Sequence, residues 1–154
     1  QEDLRLAAAL KKNFGTRLIF TGQHPMAHPE EVLKVADHVC IGEYEFAVLD
    51  LVQGKNPKQI AGVYPNERGK LIDINRLPFP EDDDVSRIDY HEPNCRYKQI
   101  QMYGSRGCPR RCNFCAAATL YYDELNWRSR NVSDVVKEIQ TLHEKYPEME
   151  GVFF

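Results

Sequence analysis

Short apolar runs alternate with amphipathic stretches along the first 75 residues. The runs are dominated by aliphatic and aromatic side chains and predict buried strands at 17–20 and 39–41. Helices are predicted at 4–12, at 29–35 and in a stretch carrying Phe46, Leu49 and Val52. Because strands alternate with helices, the pattern favours a parallel α/β layer, with a turn at 21–25 and a closing hairpin of 60–64 and 70–72 around 66–69.

Residues 77–84 interrupt this alternation. Two prolines at 78 and 80 precede four consecutive acidic residues at 81–84. Proline lacks a backbone donor and the like charges repel, so neither a helix nor a central strand is expected here. We therefore predict an α/β domain over residues 1–75, a linker over 76–96 and a second domain over 97–154.

The second domain begins with one strand–helix–strand pattern. Strands are predicted at 99–103 and 151–154. Between them, Asn131 or Ser133 is positioned to cap a helix whose apolar face consists of Val132, Val135, Val136, Ile139 and Leu142. This is one βαβ unit, and a cysteine-rich loop follows the carboxyl end of its first strand, where parallel α/β folds place their sites.

Composition narrows the class of protein. A formal net charge of -3 gives no basic field, so a nucleic-acid partner is not expected. No apolar run approaches the roughly 20 residues of a membrane span. Five cysteines, three of them within eight positions, do not suit a secreted disulfide framework, so we expect a cytoplasmic protein with thiolate metal ligands. The start without methionine and the apolar end lead us to expect an internal piece of a longer protein.

The cysteine loop has the spacing C-x3-C-x2-C, formed by Cys108, Cys112 and Cys115. Three thiolates on one short loop can hold three corners of an iron–sulfur cube and leave the fourth iron open to a small molecule. An electron-transfer ferredoxin would ligate all four irons with cysteine, and a structural zinc site would need a fourth ligand at a fitting distance. Gly104 and Gly107 allow the backbone to curl tightly around a bulky inorganic group.

This loop resembles the radical S-adenosylmethionine motif, C-x3-C-x-aromatic-C, with Phe114 in the aromatic place. The segments 127–132 and 151–154 resemble the run from the cluster loop to the second strand of that superfamily's (β/α) barrel. The resemblance implies a [4Fe-4S] cluster on the three cysteines, S-adenosylmethionine on the open iron and Phe114 near its adenine. It further implies reductive cleavage to a 5'-deoxyadenosyl radical, with electrons from a partner such as flavodoxin or ferredoxin.

The first domain resembles the Rossmann-like cobalamin-binding domain that precedes the radical domain in a large subfamily. The resemblance lies in the ordered segments 21–25, 29–33, 40–45 and 77–80. It implies that Thr21, Gly22, Gly42 and Glu43 line the crevice for the nucleotide tail of cobalamin, although the family usually has Gly-Gly where this chain has Thr21-Gly22. The fold expected is thus the end of a cobalamin-binding α/β domain followed by the first βαβ unit of a truncated radical barrel.

Several of these residues also have plainer interpretations. His24 suits a turn, Cys40 a buried apolar position and Cys95 a linker, and Glu43 suits the start of a helix through the helix dipole. Arginines near the loop suit either an anion-attracting surface or a solvated basic rim (Arg106, Arg110, Arg111, Arg128 and Arg130).

The function expected from the resemblance is a cobalamin-dependent radical enzyme. Methyl transfer to an unreactive carbon of a small molecule or peptide comes first, and ring formation or rearrangement second. A transfer-RNA methylthiolating relative shares the spacing but carries a second cysteine triad upstream, whereas only Cys40 and Cys95 precede the motif here. A non-enzymatic iron–sulfur carrier or zinc module is the alternative from another class. We expect residues 1–154 alone to complete no reaction.

Overall fold

The computed structural model describes residues 2–90, 96–117, 122 and 126–154. By its contacts the chain divides into two compact units, Gln1–Ile72 with Gly107–Asn126, and Asp73–Arg106 with Trp127–Phe154. The described residues form a mixed α/β structure with three two-stranded sheets, and no barrel is seen among them. The α/β class is therefore confirmed, while the barrel and the domain boundaries at 75, 76–96 and 97 stay predictions.

The first unit is built on a pair of parallel strands. Its elements are α1 (Glu2–Phe14), β1 (Ile19–Phe20), α2 (Gln23–Ala27), α3 (Pro29–Val32), β2 (His38–Val39), α4 (Glu45–Val52) and a 3-10 turn, Pro57–Gln59. Strands β1 and β2 pair in parallel with Ile19 opposite His38 and Phe20 opposite Val39. The predicted alternation is confirmed, except that a short helix, α2, occupies the predicted turn at 21–25.

Helix α4 does not bury the three apolar residues that mark it in the sequence. Phe46, Leu49 and Val52 are exposed, whereas Ala47 and Leu51 lie in the core with Cys40, Ile60 and Val63. The helix is apolar on several sides, so its pattern alone did not fix the buried face. The buried face packs closely against Gly62, where an added Cβ would lie 3.4 Å from Ala47 Cβ.

The predicted hairpin at 60–72 is wrong. Val63 makes one antiparallel bridge, to Cys40, and the rest of this segment forms no strand. Asn66 Nδ2 donates to the carbonyls of Pro57 (2.7 Å) and Ile60 (2.9 Å), and Gly62 N–H bonds the Glu67 carbonyl at 2.8 Å. Local bonds thus satisfy the polar groups that a two-stranded ladder would have used.

The second unit contains the predicted βαβ pattern. Its elements are two 3-10 turns, Ile74–Arg76 and Arg87–Asp89, then β3 (Gln99–Gln101), α5 (Val132–Lys145) and β6 (Gly151–Phe153). Strands β3 and β6 are parallel, with Ile100 opposite Val152. A second strand pair, β4 (Ser105–Cys108) with β5 (Asn126–Ser129), was not predicted from the sequence.

Helix α5 buries most of its predicted face. Leu142 and Tyr146 are buried with Ile88, Ile100 and Met102, and Val135 and Ile139 pack against them, while Val132 and Val136 of the predicted face are exposed. Glu138 is also buried, and its carboxylate pairs with Arg130 at 2.6 Å. Asn131 occupies the predicted N-cap position, but its side chain donates to Asp134 instead of accepting a helix N–H.

The acidic segment after the two prolines has no strand or α-helix, as its composition predicts. It is nevertheless fixed to α5. The Asp82 side chain is 8% exposed, accepts a hydrogen bond from Tyr146 Oη at 2.9 Å and pairs with Lys145, which also pairs with Asp83 at 2.7 Å. Among the described residues, no helix is both long enough and apolar enough to span a bilayer.

Candidate functional site

The three cysteines of the motif follow one another along a single exposed segment. Cys108 is the last residue of β4 and is half-buried, Cys112 is exposed and Cys115 is half-buried. The Cys115 N–H bonds the Cys112 carbonyl at 3.0 Å, which closes a tight turn between the second and third thiols. None of the three is in a disulfide. The segment therefore carries three thiols that a reagent or metal can reach from solvent.

The backbone immediately before Cys108 requires glycine. Gly107 has φ +92°, which L side chains rarely adopt. A Cβ at this position would lie 2.6 Å from the Asn126 carbonyl oxygen and 2.9 Å from Asn126 Cγ, with the amide oxygen closer still. Gly104 differs, because a Cβ there would make ordinary contacts of 3.7 Å with the Phe154 ring. The tight curl expected at both glycines thus depends on Gly107.

The donor set at this segment fits an iron–sulfur cluster. Three thiols are the ligands that such clusters use, and all three are open to solvent to some degree. In the described part of the chain, only Glu81, Asp82 and Asp83 bring three ligand atoms within 4.8 Å of one another, so the thiols do not converge as they would on a single ion. A four-iron cube places each thiolate on a different iron, and its ligands need not approach that closely.

The remaining cysteines and the aromatic residue have separate positions. Cys40 is fully buried, and burial raises the pKa of its thiol to about 11, which confirms the interpretation as a core residue. Cys95 lies outside the described residues. Phe114 is 93% exposed. Its contact with the adenine of S-adenosylmethionine stays a prediction.

The two turns assigned to cobalamin occur at one edge of the first unit. Thr21-Gly22 follows β1 and Gly42-Glu43 comes shortly after β2, and these strands are parallel neighbours. Gly22 has φ +97° and precedes α2, with no atom within 4 Å of an added Cβ. The carboxyl edge of a parallel sheet is where α/β folds bind ligands, so Gly22 leaves backbone accessible at a suitable place.

Gly42 and Glu43 are covered by the chain itself. Gly42 has φ +80°, and the Arg68 side chain packs against it, with Cγ 3.1 Å from an added Cβ. Glu43 is 6% exposed and accepts the Ile72 N–H at 2.6 Å. Its carboxylate therefore anchors the backbone at Ile72. The sequence had suggested two other roles for Glu43, lining the ligand crevice or starting a helix.

Two further residues differ from their expected surroundings. His24 lies in α2, with its ring 5.1 Å from that of His28, and both side chains are exposed. Arg130 was expected in either an anion-attracting surface or a solvated basic rim, but its side chain is only 9% exposed and pairs with Glu138. The signal for this pair in the sequence was a basic residue two positions before α5 and a glutamate among the apolar positions of that helix.

Comparison with known proteins found one informative relative. No protein-family model matches the chain. An uncharacterized methyltransferase from Pyrococcus horikoshii is 26% identical over 162 residues, covering 94% of this chain and 34% of the relative. The chain therefore spans about a third of the length of the curated protein that it matches.

Proposed function

We propose that this chain provides the cluster-binding segment of a cobalamin-dependent radical S-adenosylmethionine enzyme. The observation that carries the proposal is the set of three thiols, Cys108, Cys112 and Cys115, on one segment that Gly107 introduces. Three thiolates without a fourth cysteine in the motif leave one iron of a [4Fe-4S] cluster for a substrate-like ligand. Phe114, exposed next to Cys115, is available to cover the adenine of S-adenosylmethionine.

In this proposal the chain binds and orients, and the cofactors supply the reactivity. The bound cluster would supply the electron that cleaves S-adenosylmethionine, after reduction by a protein such as flavodoxin or ferredoxin. Cys108, Cys112 and Cys115 would hold the cluster, and their half-buried to exposed positions would leave it reachable from solvent.

Methyl transfer is the reaction class that we assign. The support is the methyltransferase name of the Pyrococcus horikoshii relative, which aligns with nearly all of this chain. Cobalamin, a methyl carrier, would bind at the edge formed by Thr21-Gly22, where backbone is accessible, beside Gly42-Glu43. An unreactive carbon is the acceptor proposed, because a radical is needed to activate such a carbon.

Reconstitution with iron and sulfide under anaerobic conditions tests the cluster. The 154-residue chain should gain iron and sulfide in the ratio of one [4Fe-4S] cluster, and adding S-adenosylmethionine should change the electron paramagnetic resonance spectrum of the reduced cluster. Replacing Cys108, Cys112 and Cys115 together by Ala should abolish the uptake, while Cys95→Ala, a cysteine outside the motif, should not. Uptake of zinc without sulfide, or iron uptake unchanged by the triple replacement, would refute the proposal.

Titration with hydroxocobalamin tests the second cofactor. Saturable binding is expected, and Gly22→Val should weaken it because the side chain would occupy the open edge after β1. Gly54→Val is the matched control, since Gly54 also has positive φ (+78°) and open space around an added Cβ but belongs to neither turn. Equal loss of affinity in the two variants would show that backbone strain, and not the edge, explains the effect.

A further inference from the structure

All three motif cysteines lie between Gly104 and Arg130 in the sequence, and these two residues meet; residues 105–129 are called the excursion. Gly104 precedes the excursion and Arg130 follows it. The Arg130 N–H donates to the Gly104 carbonyl at 2.8 Å. A backbone hydrogen bond between the two flanking residues thus joins the ends of this 25-residue segment without any help from a metal.

The Arg130 side chain reinforces the same junction. Its Nη1 lies 3.2 Å from the Tyr103 carbonyl oxygen, to which it donates, and 2.6 Å from Glu138 Oε2. The guanidinium also lies over the rings of Tyr103, at 5.6 Å, and Phe79, at 5.8 Å. One residue therefore binds two consecutive carbonyls, those of Tyr103 and Gly104, at the start of the excursion.

Burial makes this arrangement well defined. The side chains of Arg130 and Glu138 are 9% and 4% exposed. A buried charge that loses its partner is strongly disfavoured, so Glu138 constrains where the guanidinium can lie. Arg suits this position because its planar fork can bind a carboxylate and a carbonyl while stacking on aromatic rings, which the point charge of Lys cannot do.

We infer that Arg130, held by Glu138, is a positioning residue for the cluster, because it closes the base of the thiol-bearing excursion. This inference rests on the proposed function. Holding the ends of a segment together lowers the entropy that is lost when its thiolates gather on one cluster. Arg130 itself makes no contact with iron in this proposal. It acts through the backbone that leads to Cys108.

The test measures how fast a chelator removes iron from the reconstituted 154-residue chain. Partners that orient metal ligands typically change metal affinity by 10–100-fold, so Arg130→Met should accelerate iron loss by about tenfold or more. Glu138→Gln should act in the same direction, and Arg130→Lys should restore only part of the wild-type retention. The electron paramagnetic resonance spectrum of the reduced cluster should broaden in Arg130→Met. A loss of fold stability alone would not produce this broadening.

Arg87→Met is the matched control. Arg87 likewise donates to a backbone carbonyl, that of Gln101 at the end of β3 (2.8 Å), and faces Asp82 at 3.9 Å, but it is not at the base of the excursion. It should lower thermal stability without accelerating iron loss. Equal iron loss in the Arg87 and Arg130 variants, or wild-type retention and spectrum in Arg130→Met, would overturn the inference. If the wild-type chain binds no iron–sulfur cluster, the proposed function fails first and the inference falls with it.

Discussion

Replacing Gly107 by Ala should open the strand pair β4–β5 that precedes and follows the cysteine segment. Two costs add at this position. A non-glycine residue held at φ +92° costs about 1–3 kcal/mol. Forcing a methyl group to 2.6 Å from the Asn126 carbonyl costs roughly a further 1–3 kcal/mol, because that oxygen belongs to the backbone and moves only if the strand moves.

The sum, roughly 2–6 kcal/mol, exceeds what an isolated two-stranded pair can absorb, since such pairs are marginally stable in water. The strands should therefore separate locally while the three hydrophobic clusters, which do not include Gly107, persist. A loss of roughly 2–6 kcal/mol corresponds to a factor of about 30 to 20,000 in the opening equilibrium. Amide exchange at 105–108 and 126–129 should accelerate by about that factor, or until it reaches the unprotected rate.

Hydrogen–deuterium exchange with mass spectrometry is the assay, and Gly104→Ala is the control. Its added Cβ would meet only the Phe154 ring at 3.7 Å, and its φ lies outside the left-handed region. Exchange of these segments should therefore match wild type in Gly104→Ala. Unchanged protection in Gly107→Ala would refute the geometric argument, and equal acceleration in both variants would show that any side chain in this loop has the same effect.

Two further predictions concern Asp82 and the thiols. Burial opposes the charge of Asp82, but hydrogen bonds from Lys145 and Tyr146 outweigh burial and hold the pKa of Asp82 below the usual value. The ionised carboxylate therefore stabilises the fold at neutral pH, and this stabilisation is lost as pH falls through the lowered pKa. Asp82→Asn should lower the free energy of unfolding by about 1.5–3 kcal/mol at pH 7. In denaturant titrations, this difference from wild type should shrink below about pH 4. A difference that does not change with pH would contradict the prediction. Alkylation at pH 8 without metal should label the exposed Cys112 quickly, and Cys40, whose pKa burial raises to about 11, only after unfolding, as peptide mapping would show. Early labelling of Cys40 would contradict its burial.

The elements that depend on local pattern were predictable from the sequence. The βαβ unit, the alternation of β1, α3, β2 and α4, and the burial of Cys40 follow from apolar runs and spacings that neighbouring residues define. The cysteine segment could also be recognised from the sequence, because the spacing of its thiols does not depend on contacts with distant residues. Its assignment to a cluster stays a proposal until iron is measured.

Other features depend on partners distant in sequence. The buried Ala47 of α4 packs close to Gly62, and the buried Glu138 of α5 pairs with Arg130. Glu43 was predicted to meet a ligand or start a helix, yet it binds the N–H of Ile72, 29 residues away. Such contacts leave no periodic signal.

The sequence by itself thus determined which residues carry thiols, that the longer helices and the strands β1, β2, β3 and β6 form, and where charge and proline prevent both kinds of element. Only the tertiary structure decided which face of α4 is buried, that β4 pairs with β5, that Gly107 admits no side chain, and that Arg130 is buried at the base of the cysteine excursion. The physical reason is the distance along the chain over which each interaction acts. Backbone preference and hydrophobic period act over a few residues, whereas close packing and the pairing of buried charges are settled only when distant segments meet.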